Sequence, residues 1–376
     1  MKTRIKMAIL SLSLITVMAG AATAPALGAI AAHFNDVHPL LIKLIITLPS
    51  LFIIFTTVAF HKVARVLSIK KIAILGLVIY IIGGCGAGVV NDIYLLLVFR
   101  AVLGVGVGLI MPLSTGLISY FFDKDERTKL MGYSSAMNNL GGVIAMSLSG
   151  VLVTFNWRYS FAVYLLGVLV LILIVMFLPD TELKGSNRRV SFRLIKQIGP
   201  YLIGIFSTML IFYTLPSNFS MVVMEEELFN PSLIGAVMAI QTLGAFLIGM
   251  KFSIVKKRFG DQTKYVSCGF LFGGYLLLSI GNSIILVMAG LLSIGFGLGL
   301  LVPLLNSQIA STVDKKEVTS AMAITSSMLY LGQFVSPLLV QGVQSAMNVT
   351  DIRFPYYMAM GLTLLLGMWM KRCRIN

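Results

Sequence analysis

Arg100 is the one charged side chain set well inside a long apolar run, about eight residues or roughly 12 Å from the run's outer end at 1.5 Å per residue. A guanidinium there cannot usefully deprotonate and needs a partner or a wet cavity. Two roles are open to it: work in a central cavity, or a bond to backbone carbonyls that pins the first and fourth apolar segments. No Asp or Glu lies at comparable depth. The nearest acids, Glu225, Glu226 and Glu227, form either a solvated turn or an acidic vestibule whose partly desolvated carboxylates could carry protons. Uncharged polar groups at mid-segment depth are Asn138, Asn139, Gln241 and Gln333, with the hydroxyls of Tyr213 and Tyr330. Amides in lipid must find partners, so these face the protein interior, to meet a substrate or to tie helices together.

Several chemistries lack their residues. There is no phosphate-binding Gly-x-x-x-x-Gly-Lys-Ser/Thr loop, so ATP hydrolysis through one is excluded. Gly104, Gly106 and Gly108 lie in an apolar run and read as close helix packing. His33, His38 and His61 have no cysteine or carboxylate cluster near them in sequence, so neither a metal nor another cofactor is expected. Cys85 and Cys268 fall in apolar segments and Cys373 in the C-terminal tail, which implies no disulfide framework.

The elements that must hold these groups are membrane helices. The chain is 58% hydrophobic and 11% charged over 376 residues, too apolar for a soluble domain. Twelve spans are expected, near 7–32, 39–60, 71–90, 93–120, 130–154, 159–178, 199–223, 231–252, 264–281, 284–310, 318–345 and 354–370. The basic start and small residues near Ala22 and Ala24 resemble a signal peptide. The apolar pattern continues to Ile30, so the segment is read as span 1. Pro25 and Pro49 lie inside spans, where prolines often mark bends around a cavity. With the N-terminus inside, 25 of the 29 Lys and Arg are cytoplasmic, the exceptions being Lys43, Arg100, Arg158 and Arg353. The net charge of +15 therefore reports topology, both termini inside, and not nucleic-acid binding.

Residues 104–141 recur 191 positions later without a gap, with sixteen identities. Gly104, Gly108, Pro112, Asp123, Glu126 and Gly141 return as Gly295, Gly299, Pro303, Asp314, Glu317 and Gly332. Two copies of one unit are thus joined head to tail, a transporter signature when the unit is membrane-embedded. The expected division is a six-helix bundle at 1–180, a cytoplasmic linker at 181–198 and a second bundle at 199–376.

Several motifs carry a family resemblance. Arg100-x-x-x-Gly104 lies in span 4, Asn156-Trp157-Arg158 precedes span 6, and Gly132, Gly141 and Gly150 are spaced along span 5. With the span count and the basic central loop from Pro179 to Gly199, the chain resembles the major facilitator superfamily, in particular its drug-efflux, proton-antiporter branch. Departures are visible. Ala145-Met146 and Ser149-Gly150 stand where the branch has Gly-Pro and Gly-Gly, Ser336-Pro337 in span 11 comes nearer, and the loop at 61–71 keeps Lys70 and Lys71 but has Arg65 where the family has Asp.

The resemblance implies an all-α integral membrane protein of the bacterial cytoplasmic membrane, a monomer. It would work as a proton-coupled exporter of small amphipathic, drug-like molecules by alternating access. It implies that Arg100 lines the cavity and serves proton transfer. A facilitator or uptake carrier for a neutral or anionic metabolite is the first alternative, and a membrane enzyme on lipid-linked substrates a remote one. The reversed sign at Arg65 predicts an inverted gate pair, with Asp314 or Glu317 across the halves or with Asp123 or Glu126 within one.

Overall fold

Long continuous apolar runs bounded by polar caps span lipid as hydrogen-bonded helices, because the strands of a closed barrel alternate apolar and polar residues instead. The computed structural model describes residues 2–181, 192–314 and 317–372. The middle of the basic linker, Lys315 of the repeated loop and Cys373 lie outside the described residues. In the N-terminal half α1 (Lys2–Ala21) and α2 (Leu27–His33) are joined by a 3-10 turn at Ala24–Ala26. They are followed by α3 (Pro39–Val63), α4 (Ile69–Gly86), α5 (Ile93–Phe121), α6 (Lys124–Leu152) and α7 (Leu166–Phe177). In the C-terminal half come α8 (Phe192–Glu225), α9 (Ile234–Met250), α10 (Phe252–Phe259), α11 (Thr263–Ile280), α12 (Ile284–Thr312), α13 (Val318–Ala346) and α14 (Phe354–Arg372).

Among the described residues, ten segments are long and apolar enough to cross a bilayer. The more polar α6 and the closing α14 complete twelve spans, so the fold is the all-α, twelve-span one. Several helices outrun the apolar windows: α8 starts at Phe192 and α6 at Lys124, ahead of the expected 199 and 130. Sequence windows follow the hydrocarbon core of about 30 Å. The helices continue into the interface, where Lys and Arg can reach water.

The described residues fall into two compact units, one running from the N-terminus through α7 and including Pro231–Ala236, the other holding the rest. In the first, α1 packs on α5, α6 and α7, while α4 packs on α5 and α7. In the second, α8 packs on α12, α13 and α14, while α11 packs on α12 and α14. It is the same pairing scheme twice. The caps repeat too. Asp92 accepts a hydrogen bond from Leu95 N at 2.8 Å at the start of α5, and Ser283 accepts from Leu286 N at 3.4 Å at the start of α12. Both pairs keep the 191-residue offset, and both caps are residue types that satisfy a helix's first free N–H groups.

The repeated glycines set how closely these helices meet. A Cβ on Gly104 would lie 2.4 Å from Pro49 O, and one on Gly295 would lie 2.2 Å from Gln241 O. Gly108 and Gly299 repeat the contact against Thr56 and Ala245, and Gly141 and Gly332 against Leu14 O (1.9 Å) and Phe206 O (2.4 Å). Gly150 meets Gly235 of the same unit with 2.7 Å of room. Gly132, grouped with these by spacing, has open space where a Cβ would sit. Helix packing does not require glycine there.

Gly141→Val forces α1 and α6 apart. It should cost about 1–3 kcal/mol, the range for overpacking, and lower the unfolding midpoint of the purified protein. Gly132→Ala should leave that midpoint level or raised, since alanine favours the helix by about 1 kcal/mol. Equal effects of the two changes in a detergent melting assay would refute the packing account.

Candidate functional site

Arg100 is completely buried in α5, and its place follows from two breaks in neighbouring helices. Pro49 has no N–H, so in α3 the carbonyl four residues earlier, Ile45 O, loses its helical donor. Arg100 Nε supplies one at 2.8 Å. In α1 the helix unwinds after Ala21, and Thr23 N turns to Gly20 O at 3.4 Å, leaving Ala19 O free of its i+4 partner. Arg100 Nη2 donates to Ala19 O at 2.7 Å, and Tyr164 Oη donates to the same oxygen at 2.8 Å. Arg100 Nη1 in turn donates to Tyr164 Oη at 2.9 Å. The guanidinium carbon lies 5.3 Å from the Tyr164 ring centre, and the Thr23 hydroxyl is 3.0 Å from that phenol. One cation thus joins α1, α3, α5 and the turn before α7.

The repeat does not carry this charge into the second half. The residue 191 positions after Arg100 is Leu291, also fully buried. Carbonyls near Pro216 are served by Tyr275 Oη, 2.6 Å from Ile211 O and 3.3 Å from Phe212 O. Ser336, beside Pro337 in α13, donates to Leu210 O at 2.7 Å.

The three glutamates end α8, with Glu225 and Glu227 exposed and Glu226 half-buried. Glu227 has φ +50°, a left-handed conformation that terminates the helix. Glu226 accepts two hydrogen bonds from Arg353 Nε, at 2.7 and 2.9 Å, and an ion pair from Nη2. The hydrogen bond to Glu226 raises the Arg353 pKa above its ordinary value. Sequence reading missed this partner. Arg353 also donates to Ser279 O, Gly281 O and Asn282 Oδ1, while Asp351 Oδ1 accepts from its backbone N–H at 2.7 Å. The first unit holds the same construction: Arg158 donates to Val90 O at 2.9 Å and to Asn91 Oδ1, and Asn156 Oδ1 accepts from Arg158 N at 3.0 Å. Val90 and Asn91 lie 191 residues before Gly281 and Asn282, but the arginines are 195 apart. The ungapped repeat therefore passes over them. The shared Asx-x-Arg spacing is the signal that would have found them.

The remaining candidates are scattered. Asn138 accepts from Thr16 Oγ1 at 2.8 Å and ties α6 to α1, while Asn139 donates to Ser135 O on its own helix at 2.9 Å. Gln241 is buried with no hydrogen-bond partner for Oε1. Tyr213 on α8 and Tyr330 on α13 are half-buried, and Gln333 on α13 is buried. Lys70 donates to Val175 O at the end of α7 at 2.8 Å. Lys71, Arg65 and Asp314 are exposed, and Glu317 is half-buried at the start of α13. Glu126 is ion-paired with Lys6. Among the described residues, no group of three or more His, Cys, Asp or Glu side chains could hold a metal.

Removing Arg100 strands Ile45 O, at about 1–3 kcal/mol for an acceptor left unpaired in a buried site, and takes one partner each from Ala19 O and Tyr164 Oη, which keep their bond to each other. Arg100→Ala should lower the unfolding midpoint of the purified protein sharply. Arg100→Lys, which can reach only part of the network, should fall between. A wild-type midpoint in Arg100→Ala would refute the pinning role.

The chain matches the Major Facilitator Superfamily over residues 9–337 and again over 201–372. It is 24% identical to the Multidrug transporter protein MdtP of Bacillus subtilis (strain 168), covering 78% of this chain and 67% of that one. It is 23% identical to the Quinolone resistance protein NorA of Staphylococcus aureus (strain Mu50 / ATCC 700699), covering 78% and 77%. Among solved structures, the nucleoside transporter NupG superposes with a TM-score of 0.78 at 15% identity, over 98% of this chain and 99% of that one. A D-xylose-proton symporter superposes with a TM-score of 0.73 at 14% identity, over 97% of each. With the repeated halves and the helix pairing described above, these matches establish that the chain belongs to the Major Facilitator Superfamily.

Proposed function

We propose that this chain is a secondary active transporter that exports small amphipathic, drug-like compounds in exchange for protons, by alternating access of its two halves. The observation that carries the reading is the similarity, over most of the chain, to proteins named for multidrug transport and quinolone resistance. One helix-pairing scheme built twice supports alternating access, because related halves can exchange conformations about a shared axis. The proposed topology places both termini and the linker at 181–198 in the cytoplasm, and the working unit is a monomer. The proposed substrate contacts are Asn138, Asn139, Tyr213, Gln241, Tyr330 and Gln333. Of these, Gln241, with a buried acceptor that lacks a donor, has the most to gain from a ligand.

Arg100 is proposed as a pin and not as the proton carrier, because its Nε and both Nη atoms already have partners. Proton handling falls to Glu225, Glu226 and Glu227. Glu226 is the member that the fold holds in place, by its hydrogen bonds from Arg353. Inverted vesicles loaded with a mixed compound panel test this. An imposed pH gradient should drive accumulation, its collapse should stop it, and Glu226→Gln should change the pH dependence. Accumulation indifferent to the gradient would overturn proton coupling.

At the cytoplasmic side Arg65 is proposed to close a gate with Asp314 or Glu317, the inverse of the family's acidic residue. An exposed pair contributes only about 0–1 kcal/mol, yet that shifts a near-balanced equilibrium several-fold. Arg65→Glu should slow transport, and adding Glu317→Arg or Asp314→Arg should restore part of it. No recovery in either double variant would remove the pair.

A further inference from the structure

Arg158 and Arg353 hold corresponding loops, but only one of them meets an acid. Arg353 is ion-paired with Glu226. Arg158 is half-buried and makes no ion pair among the described residues. Its side chain donates from Nη1 to Val90 O at 2.9 Å and from Nη2 to Asn91 Oδ1, and lies over the Trp157 ring. A guanidinium has N–H groups to spare. Nε and one hydrogen on each Nη keep no protein acceptor.

These groups border a cavity of about 630 Å³ within the first unit, whose lining includes Cys85, Val89, Asn91, Arg158, Tyr159 and Leu165. No acid lines it, and Asp92, next in sequence to Asn91, is turned to Leu95 N of α5 at 2.8 Å. Trp157 and Tyr159 both stand at this rim, and such rings favour the depth of lipid headgroups.

The cavity continues into an apolar seam. Two exposed stripes lead away from it: Leu75, Val78, Ile82 and Val89 along α4 and the turn after it, and Leu165, Val168, Leu169, Ile172 and Val175 along α7. Each keeps to one side of its helix at about 100° per residue. The two helices pack on each other and run antiparallel, with Gly88 against Phe161 at the cavity end and Lys70 bonded to Val175 O at the other. From Leu165 to Val175 the seam extends roughly 15 Å, about half of the bilayer's hydrocarbon core.

We propose that the cavity holds the headgroup phosphate of an anionic phospholipid, whose acyl chains lie along the seam of α4 and α7. The phosphate oxygens accept from Arg158 Nε and its remaining Nη hydrogens, a pairing that guanidinium geometry favours. With no acid in the lining, the ammonium of a zwitterionic headgroup finds no counter-charge, which selects a net-negative lipid. A free phosphate lacks the chains that would cover the seam. The lipid does for Arg158 what Glu226 does for Arg353, and the inference is independent of what the chain transports.

The test strips lipid from the purified full chain and titrates it with phosphatidylglycerol or phosphatidylcholine of identical acyl chains, counting bound lipid by native mass spectrometry. Wild type should hold its first phosphatidylglycerol about ten-fold or more tighter than its first phosphatidylcholine, the range of one charge-assisted hydrogen bond. Arg158→Gln should abolish that preference. Because this change also unfastens the loop, Ala162→Glu is measured beside it. Ala162 is exposed and lines the cavity, so the change puts a carboxylate where the phosphate would sit. It should remove the preference and leave the melting midpoint level or raised. Excess inorganic phosphate should not displace the lipid. Equal affinity of wild type for the two lipids, a preference that survives either substitution, or displacement by inorganic phosphate overturns the proposal.

Discussion

A carbonyl without a donor is expensive in lipid, and the N-terminal unit is arranged around that cost. Pro49 and the break after Ala21 each release one carbonyl, in α3 and in α1. Both come to the same guanidinium, on a third helix. The bends that prolines impose and the cation that sequence alone leaves unexplained are thus two sides of one interaction. Desolvating Arg100 is tolerable because each of these bonds also removes an unpaired acceptor.

The two halves share their backbone logic and differ in where charge is placed. Glycines against carbonyls, capped helix starts and helix pairings recur at a fixed offset. Arg100 has no counterpart, with Leu291 in its place. What the repeat enforces therefore belongs to the architecture. What breaks it is where chemistry was free to settle, and buried cations stand in both halves, Lys43 and Arg100 in the first and Lys264 and Arg353 in the second.

Much of the fold was legible because membrane burial is written in composition, and because a duplication writes the packing code twice. Gly104, Gly141, Gly295 and Gly332 could be picked out before any coordinates. The site was less legible for identifiable reasons. Arg100 had the right burial, but its partners are main-chain atoms, which carry no residue signature. Glu226 looked like one of three equivalent solvated acids, because its partner Arg353 lies 127 residues away in a loop whose repeat is shifted by four positions. Gly132 had the right spacing and the wrong helix face, a distinction that spacing alone does not make.

That four-position shift separates the clamp from the chain that leads to it. Arg158 and Arg353 make the same bonds to the same loop, although the chain between loop and arginine differs in length between the two copies. The clamp therefore does not depend on the length of that connection: both copies keep the arginine on the loop's carbonyl and asparagine. Glu226 beside Arg353 and the ring of Trp157, 4.5 Å from the Arg158 guanidinium, are two different partners for the charge that the shared loop leaves over. Each half thus carries an arginine on the same loop and balances it differently, one by a carboxylate and one by an aromatic face.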